Sequence, residues 1–474
     1  MPDSRGVGGE GRVGSQDTPG RRAADPSADV AAAMRPPRAV LDIARRLEAA
    51  GHETWCVGGA IRDTLLGHPH TDWDLATAAT PEQVQRLFGR RTVPVGVAHG
   101  TVGVLDPRGT MHEVTTFRRD VRTDGRHADV EFGASLDEDL ARRDFTINAM
   151  AYSPSRGVLH DPFGGQRDIA RRVIRAVGEP ADRMREDRLR ALRALRFAAR
   201  FEFEIEVETW RAIVGSAPFL TRLSPERVRE ELAKTMEQVA RPSLALGRWR
   251  DSGAIAVLVP VLADIDATTL TTLDCLPAPA RTEGMGPRAI ARADARRAAR
   301  LAALFVGRRG DRVRRALRDL RFSNAETEWI GGIGDGWNRV VGTIERSLVS
   351  GAVPSDADVR RWVAAAGPTR IATVLRVAAA RWAATRAARG DAGAPTARDV
   401  RALYRRTVRS AYRDALRVGD LAIDGDDLIA AGIAPGPRIG EILKWLVTAV
   451  IADPTLNDRD RLLALAQDWR PEAR

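Results

Sequence analysis

The spacing of hydrophobic residues changes once along the chain. Up to about residue 165, short apolar stretches with a two-residue period alternate with stretches of helical period. Beyond residue 166 the strand pattern fades, and apolar residues recur every three or four positions between charged ones. A two-residue period is typical of strands, and the longer period is typical of amphipathic helices. The pattern predicts an α+β head followed by an all-α region.

The head contains the elements of a small, mixed, mostly antiparallel sheet. Residues 38–50 have the spacing of a helix, and residues 54–57 and 72–76 have the composition and spacing of strands. Residues 101–106 and 110–117 alternate like the two arms of a hairpin, with a Pro-Arg-Gly turn between them.

The second part is predicted to consist of helices separated by short breaks that contain Gly and Pro. The first predicted helices span residues 180–200, 206–214, 224–238 and 241–252. The N-terminal residues are rich in Gly, Arg, Asp and Pro without an apolar period, which predicts disorder, and Met34 is a second candidate start. The predicted segments are a disordered tail at 1–35, a head at 36–165, a helical neck at 166–260, and a helical body and tail at 261–474.

Composition adds a candidate partner and a compartment. The 474 residues carry a formal net charge of +11, almost all of it from arginine, with Lys234 and Lys444 as the only lysines. This charge favours a nucleic acid as partner, although an arginine bias also follows from genomic base composition. No apolar stretch is long enough for a membrane span, and no signal peptide is evident. Cys56 and Cys275 fit neither a disulfide framework nor a zinc motif, so we expect a cytoplasmic protein.

The strongest candidate chemistry lies in two neighbouring motifs of the head. Gly58 and Gly59 follow a predicted strand and open a helix, where the backbone can approach a phosphate closely. Asp72 and Asp74 alternate on the next predicted strand, so both carboxylates face the same side. Two hard oxygen ligands suit Mg²⁺, which nucleotidyl transfer uses. An Asp-x-Asp motif alone also occurs at solvated strand edges, and the nearby glycine pair favours the metal site.

Glu113 is the candidate third acid. It lies on the second arm of the hairpin, among β-branched residues, on a strand that can pair with the strand of Asp72 and Asp74. A buried carboxylate there would be costly without a metal ion or a cation beside it. We therefore predict that Glu113 belongs to the same site.

Further candidates are arginines with regular spacing. Arg142 and Arg143 precede an apolar segment, and guanidinium groups bind phosphates through paired hydrogen bonds. A second motif has members three residues apart on one predicted helical band: Asp187, Arg190, Arg193 and Arg196. An aspartate and an arginine together can read the Watson–Crick edge of a base. Taken alone, both motifs are also typical of exposed ion pairs on helices.

Together and in this order, the motifs resemble those of the class II tRNA nucleotidyltransferases, which include CCA-adding enzymes and their poly(A) polymerase relatives. The resemblance covers most of the chain between residues 57 and 203. It implies a nucleotidyltransferase (polymerase β-like) head, Mg²⁺ as cofactor, and addition of CCA to the 3′ end of tRNA from CTP and ATP. It also implies that the helical segments bind the tRNA acceptor arm.

The resemblance assigns a role to each candidate residue. Asp72 and Asp74 would bind Mg²⁺, and Glu113 would be the third catalytic acid. The residues expected to bind the nucleotide are Gly59, Arg62 and Arg143 at the triphosphate, Asp187 and Arg190 at the base, and Arg193 and Arg196 beside them. Residues 117–132 match a mobile loop that family members use in switching from C to A.

Alternatives remain open at this point. A poly(A) polymerase or an A-adding enzyme would share the scaffold, although residues 93–104 resemble CCA-adding enzymes more closely. A non-catalytic RNA-binding protein is a second alternative, which the three acids disfavour. Many bacterial relatives carry a His-Asp metal motif after the neck. Residues 299–307 lack it, and all seven histidines precede residue 161, so we expect no histidine-liganded metal site in the body.

Overall fold

The structure is a computed structural model that describes residues 34–68, 72–123, 128–277, 287–390 and 393–470. The predicted disordered tail lies outside these residues except for its last two positions. No helix in the described ranges is long and apolar enough to cross a membrane.

The chain forms two compact units. The head unit runs up to Arg118 and includes Phe132–Leu140 and Asn148–Pro162. The helical unit includes Arg119–Glu131, Ala141–Ile147 and the chain from Phe163 onward. The predicted borders between head, neck and body stay predictions.

The head unit contains a seven-stranded sheet and short helices. The strands of this sheet are β1 (Thr54–Val57), β2 (Asp74–Thr77), β3 (Thr92–Gly96), β4 (Thr101–Leu105), β5 (Met111–Thr116), β8 (Ala151–Ser153) and β9 (Val158–His160). A separate two-stranded sheet consists of β6 (Arg118–Thr123) and β7 (Ala128–Phe132). Between residues 38 and 141, the α-helices are α1 (Arg38–Ala49), α2 (Gly59–Leu65), α3 (Pro81–Phe88) and α4 (Leu136–Ala141).

The seven strands lie in the order β3-β4-β5-β2-β1-β8-β9. Every neighbouring pair is antiparallel except β2 and β5, which run parallel. This confirms the predicted mixed, mostly antiparallel sheet, and the predicted hairpin is confirmed as β4 and β5. The parallel pair brings together two strands that α3 and the β3–β4 pair separate in sequence.

Local sequence signals explain where the head helices lie. The apolar positions of α1 (Val40, Ile43, Ala44 and Leu47) are buried, as their helical spacing predicts. Thr80 and Gln83 form a reciprocal capping box at the start of α3, and Pro81 occupies the first turn, where its missing N–H costs nothing.

The helical unit follows the predicted pattern of helices and breaks. Its first elements are α5 (Gly165–Arg171), β10 (Val173–Ile174), α6 (Pro180–Glu186), α7 (Leu189–Phe201), β11 (Glu204–Ile205), α8 (Val207–Ser216), α9 (Pro225–Gln238), α10 (Pro242–Asp251), α11 (Ala254–Leu258) and α12 (Ala267–Asp274). The remaining helices are α13 (Pro287–Leu304), α14 (Gly310–Asp319), α15 (Asn324–Val349), α16 (Asp356–Ala366), α17 (Ile371–Arg389), α18 (Ala397–Arg413), α19 (Gly425–Ala430), α20 (Pro437–Ala452) and α21 (Arg459–Asp468). Strands β10 and β11 pair in parallel.

Two predicted elements have different bounds in the structure. The predicted helix at residues 180–200 was wrong in its continuity, because the chain is extended at Asp187, with φ −145° and ψ 106°, between α6 and α7. The carboxylate of Asp187 accepts a hydrogen bond from the N–H of Leu189 at 3.0 Å, which stabilises this break at the start of α7. The predicted strand at residues 72–76 begins at Asp74, so Asp72 precedes it.

Candidate active site

The two aspartates of the head lie at the start of β2. Asp74 is the first residue of the strand and is half-buried, whereas Asp72 is exposed. Trp73, between them, has only 3% of its surface exposed. Because successive residues of an extended chain point to opposite sides, the burial of Trp73 directs Asp72 and Asp74 away from the core and towards one face. The predicted placement of both carboxylates on one side agrees with this burial pattern.

Glu113 lies on the strand next to the aspartates. The parallel register pairs Leu75 of β2 with Val114 of β5, and both side chains are fully buried. One step back along both strands, Asp74 comes beside Glu113 on the opposite face, where Glu113 is half-buried. The expected pairing of these two strands is confirmed.

This face has the chemistry of a site for a hard divalent cation. Asp72 and Asp74 offer carboxylate oxygens, and the next strand adds Glu113. Within the described ranges, no group of three His, Cys, Asp or Glu side chains is close enough to enclose a metal ion. An ion at this position would therefore take part of its ligand shell from water or substrate phosphates, as Mg²⁺ usually does.

The pKa of a buried thiol on β1 is affected by the negative charge of this region. Cys56 is fully buried, and its register partner on β2 is Leu75, next to Asp74. Burial raises the pKa of Cys56 to about 12, and the negative charges of Asp74 and then Glu48 add to the shift. The carboxylate of Asp74 thus contributes to a negative potential that a cation would relieve.

The glycine pair forms the turn from β1 to α2. Gly58 has a φ of +81°, a backbone angle that residues with a side chain rarely adopt, and Gly59 begins the helix. A Cβ atom on Gly59 would come within 3.2 Å of the guanidinium atom Nη2 of Arg62. The second glycine therefore leaves room for the arginine as well as for a close approach of the backbone.

Arg62 is fixed inside the head unit. Only 5% of its surface is exposed, and its Nε and Nη2 atoms lie 2.8 and 2.7 Å from Oδ1 of Asp63. Its Nη1 also donates to Oδ1 of Asn148. Sequence reasoning missed Asn148, although it belongs to the segment that begins at Arg142, where it stands six residues after that arginine.

In the helical unit, Asp187 and Arg190 are held by neighbours on three segments. The carboxylate of Asp187 accepts from Arg227 of α9 at 2.7 Å. Arg190 donates to Glu186 at 2.7 Å and to the carbonyl oxygens of Arg183 at 3.1 Å and Arg142 at 2.8 Å. The break in the helix and these bonds fix both side chains in orientation. Arg227 was not among the sequence candidates, because it lies 40 residues from its partner.

Arg193 and Arg196 are bound to acids in the same unit. Nε and Nη2 of Arg193 lie 2.8 and 2.7 Å from Oδ2 of Asp144, whose charge raises the pKa of Arg193. Arg196 is 3% exposed and donates to Glu231 of α9, which is 1% exposed.

Arg196 was expected to assist nucleotide binding, and that role stays a prediction. The guanidinium group of Arg196 also donates to Gln238 at 3.1 Å, so the group joins α7 to α9 in a buried ion pair and does not face a solvent-accessible site.

Arg143 is half-buried beside Asp144. Residues 124–127 of the predicted mobile loop lie outside the described residues, and the loop's ends form β6 and β7.

Three family models match separate parts of the chain. Residues 54–175 match the poly A polymerase head domain. Residues 202–266 match a model described as a probable RNA and SrmB-binding site of polymerase A, and residues 415–466 match tRNA nucleotidyltransferase domain 2.

Similarity to characterised proteins extends over almost the whole chain. The chain is 34% identical over 446 residues to the CCA-adding enzyme of Limosilactobacillus fermentum, an alignment that covers 92% of this chain and 97% of that protein. The crystal structure of the Bacillus stearothermophilus CCA-adding enzyme in complex with CTP has a TM-score of 0.67 and 33% identity, over 92% of this chain and 98% of that one. The Thermotoga maritima CCA-adding enzyme complexed with tRNA has the same fold, with a TM-score of 0.61 and 22% identity, over 93% and 98% of the two chains.

Proposed function

This chain belongs to the CCA-adding enzymes, a family of tRNA nucleotidyltransferases, and we propose that it completes the 3′ end of tRNA with CTP and ATP, using Mg²⁺ at Asp72 and Asp74. The observation that carries this function is the 34% identity over 92% of the chain to a CCA-adding enzyme. The acids and the glycine turn of the head unit supply the chemistry that the reaction needs.

The head acids provide the metal site. Asp72 and Asp74 direct carboxylates to one face of β2, and Glu113 adds a third negative charge from β5. The family uses a divalent metal ion, and the all-oxygen donors here favour Mg²⁺ over softer metals. Bound Mg²⁺ would supply positive charge to the leaving pyrophosphate and lower the barrier to attack by the tRNA 3′-hydroxyl.

The triphosphate is proposed to bind at the glycine turn. Because Gly59 has no side chain, a phosphate oxygen can approach the N–H groups at the start of α2. The guanidinium group of Arg62 lies next to Gly59, and its hydrogen bonds to Asp63 and Asn148 fix its orientation. A pre-oriented guanidinium loses little conformational freedom on binding a phosphate. Arg143 is proposed to add a second positive charge.

Selection of the base is proposed for Asp187 and Arg190. Within the described residues, the hydrogen bonds of Arg190 use three of its five N–H donors, which leaves two for a base edge. Asp187 keeps 29% of its side chain exposed, and a carboxylate can accept from the exocyclic amine of C or A. We propose that Arg193, held by Asp144, supports this pair from the next turn of α7.

The test is the sequence of the product. A tRNA transcript that lacks CCA is incubated with the protein, CTP, ATP and Mg²⁺, and the extended ends are sequenced. We expect addition of C, C and A and then arrest. A long run of A would instead support a poly(A) polymerase, which the match to a poly A polymerase head domain keeps as the second candidate. Absence of any incorporation would exclude both polymerising functions and favour an RNA-binding protein.

A further inference from the structure

An exposed phenylalanine lies between two arginines in the helical unit. Phe219 belongs to the turn Ala217–Arg222 that follows α8, and 42% of its surface is exposed. The guanidinium carbon of Arg188 lies 4.8 Å from the centre of the Phe219 ring, and that of Arg222 lies 5.4 Å from it. Both distances are within the roughly 6 Å range of a cation–π attraction. The ring therefore gathers two guanidinium groups on one small patch of surface.

The positive charge of this patch is not neutralised locally. Within the described part of the chain, neither Arg188 nor Arg222 forms an ion pair with a carboxylate. Arg188 donates to the hydroxyl oxygen of Ser216 at 3.2 Å, which fixes the guanidinium group without cancelling its charge. Burial lowers the pKa of Arg188, and the positive charges of Arg222 and then Arg185 lower it further. Placing cations together in this way costs energy, which an anion would recover.

Nearby arginines show the contrast. Arg211, also exposed and on α8, pairs with Glu208 one helical turn away. Such a pair is typical of a solvated helix surface and offers little net charge to a ligand. Among the described residues, Arg188 and Arg222 therefore differ from Arg211 in having no acidic partner.

We propose that Arg188, Phe219 and Arg222 form a clamp for a phosphate group of the RNA backbone, which positions the tRNA strand on the helical unit. This inference rests on the proposed function. Guanidinium groups held in fixed orientation bind phosphate oxygens through paired, charge-assisted hydrogen bonds. Two observations favour RNA as the occupant. Phe219 and Arg222 lie within the stretch that matches the RNA-binding family model, and Arg188 directly follows Asp187 in the chain.

The clamp is tested with the double variant Arg188→Gln/Arg222→Gln and with Arg211→Gln as the matched control. Binding of a tRNA transcript that lacks CCA is measured across a series of salt concentrations. Because the two arginines together neutralise one phosphate, the slope of log K against log salt becomes less steep by about 0.7–0.9 in the double variant. The KM for tRNA rises by roughly tenfold or more, because charge-assisted hydrogen bonds are lost. Arg211→Gln leaves both quantities at the wild-type values.

Two further readouts separate the clamp from other roles. The kcat at saturating tRNA and the KM for CTP stay unchanged in the double variant, because the clamp holds RNA and not the nucleotide. Phe219→Leu keeps an apolar side chain but removes the cation–π attraction, so it raises the KM for tRNA by about two- to fivefold. The single variant Arg222→Gln changes an exposed side chain and keeps the test decisive if the double variant folds poorly.

An unchanged salt slope and an unchanged KM for tRNA in the Arg222→Gln and double variants would overturn the clamp. A rise in the KM for CTP with an unchanged KM for tRNA would also overturn it, by assigning the arginines to the nucleotide. Failure of the wild-type protein to extend tRNA would overturn the proposed function instead, and the salt dependence of tRNA binding would still decide whether the clamp exists.

Discussion

The head unit and the helical unit position their functional side chains by different means. In the head, the parallel register of β2 and β5 brings Asp74 beside Glu113, and the burial of Trp73 directs Asp72, which precedes β2, to the same side as Asp74. In the helical unit, Asp187 and Arg190 owe their orientation to a break in a helix and to bonds from distant segments. The comparison teaches that strand pairing is sufficient to place acidic side chains next to each other, whereas Asp187 and Arg190 are oriented by tertiary partners.

The largest expected effect comes from the head acids. Asp72→Asn should lower the rate of CTP incorporation by roughly a thousandfold or more, because metal-ion catalysis contributes several kcal/mol. Asp72 is exposed, so the fold and the affinity for tRNA should not change. Single-turnover incorporation measures the rate, and thermal unfolding and tRNA binding serve as controls. Near-wild-type incorporation by this variant would remove the head acids from the mechanism.

The helical unit should respond in stability where the head responds in activity. Glu231→Gln breaks the buried ion pair with Arg196 and leaves an uncompensated charge, which should lower the free energy of unfolding by about 3–5 kcal/mol. The exposed ion pair of Arg185 with Asp182 is the control, since Arg185→Gln should have little effect. Urea unfolding measures both variants. Equal midpoints for wild type and Glu231→Gln would contradict the structural role given to Arg196.

The local parts of the fold were the predictable ones. Residues 54–57 form the predicted strand, and the alternation of Asp72 and Asp74 around a buried Trp73 agrees with their predicted common face. These features depend on neighbours within a few residues. The break at Asp187 was not predicted, because residues 181–188 contain no Gly or Pro, and charged residues recur every three or four positions through it. The pairing of Arg196 with Glu231 was not visible either, since 35 residues separate them.

A smaller effect distinguishes the units through their cysteines. At pH 8, iodoacetamide should label exposed Cys275 and leave buried Cys56 unmodified, and both should react after unfolding. Mass spectrometry of peptides from native and unfolded protein measures this. Rapid labelling of native Cys56 would show that β1 is accessible to solvent.

Because folding raises the pKa of Cys56 from 9.0 to about 12, the folded state should lose stability as the pH rises through that range.

The most direct test of the division between chemistry and base selection compares CTP with UTP in two variants. For Glu113→Gln in the head, we expect the rates with both nucleotides to fall together, so that the ratio of their kcat/KM values stays at the wild-type level. For Asp187→Ala in the helical unit, we expect the CTP preference to fall by about tenfold or more, since a base-edge contact contributes about 1–3 kcal/mol. An unchanged CTP preference in Asp187→Ala, with a changed one in Glu113→Gln, would contradict this division.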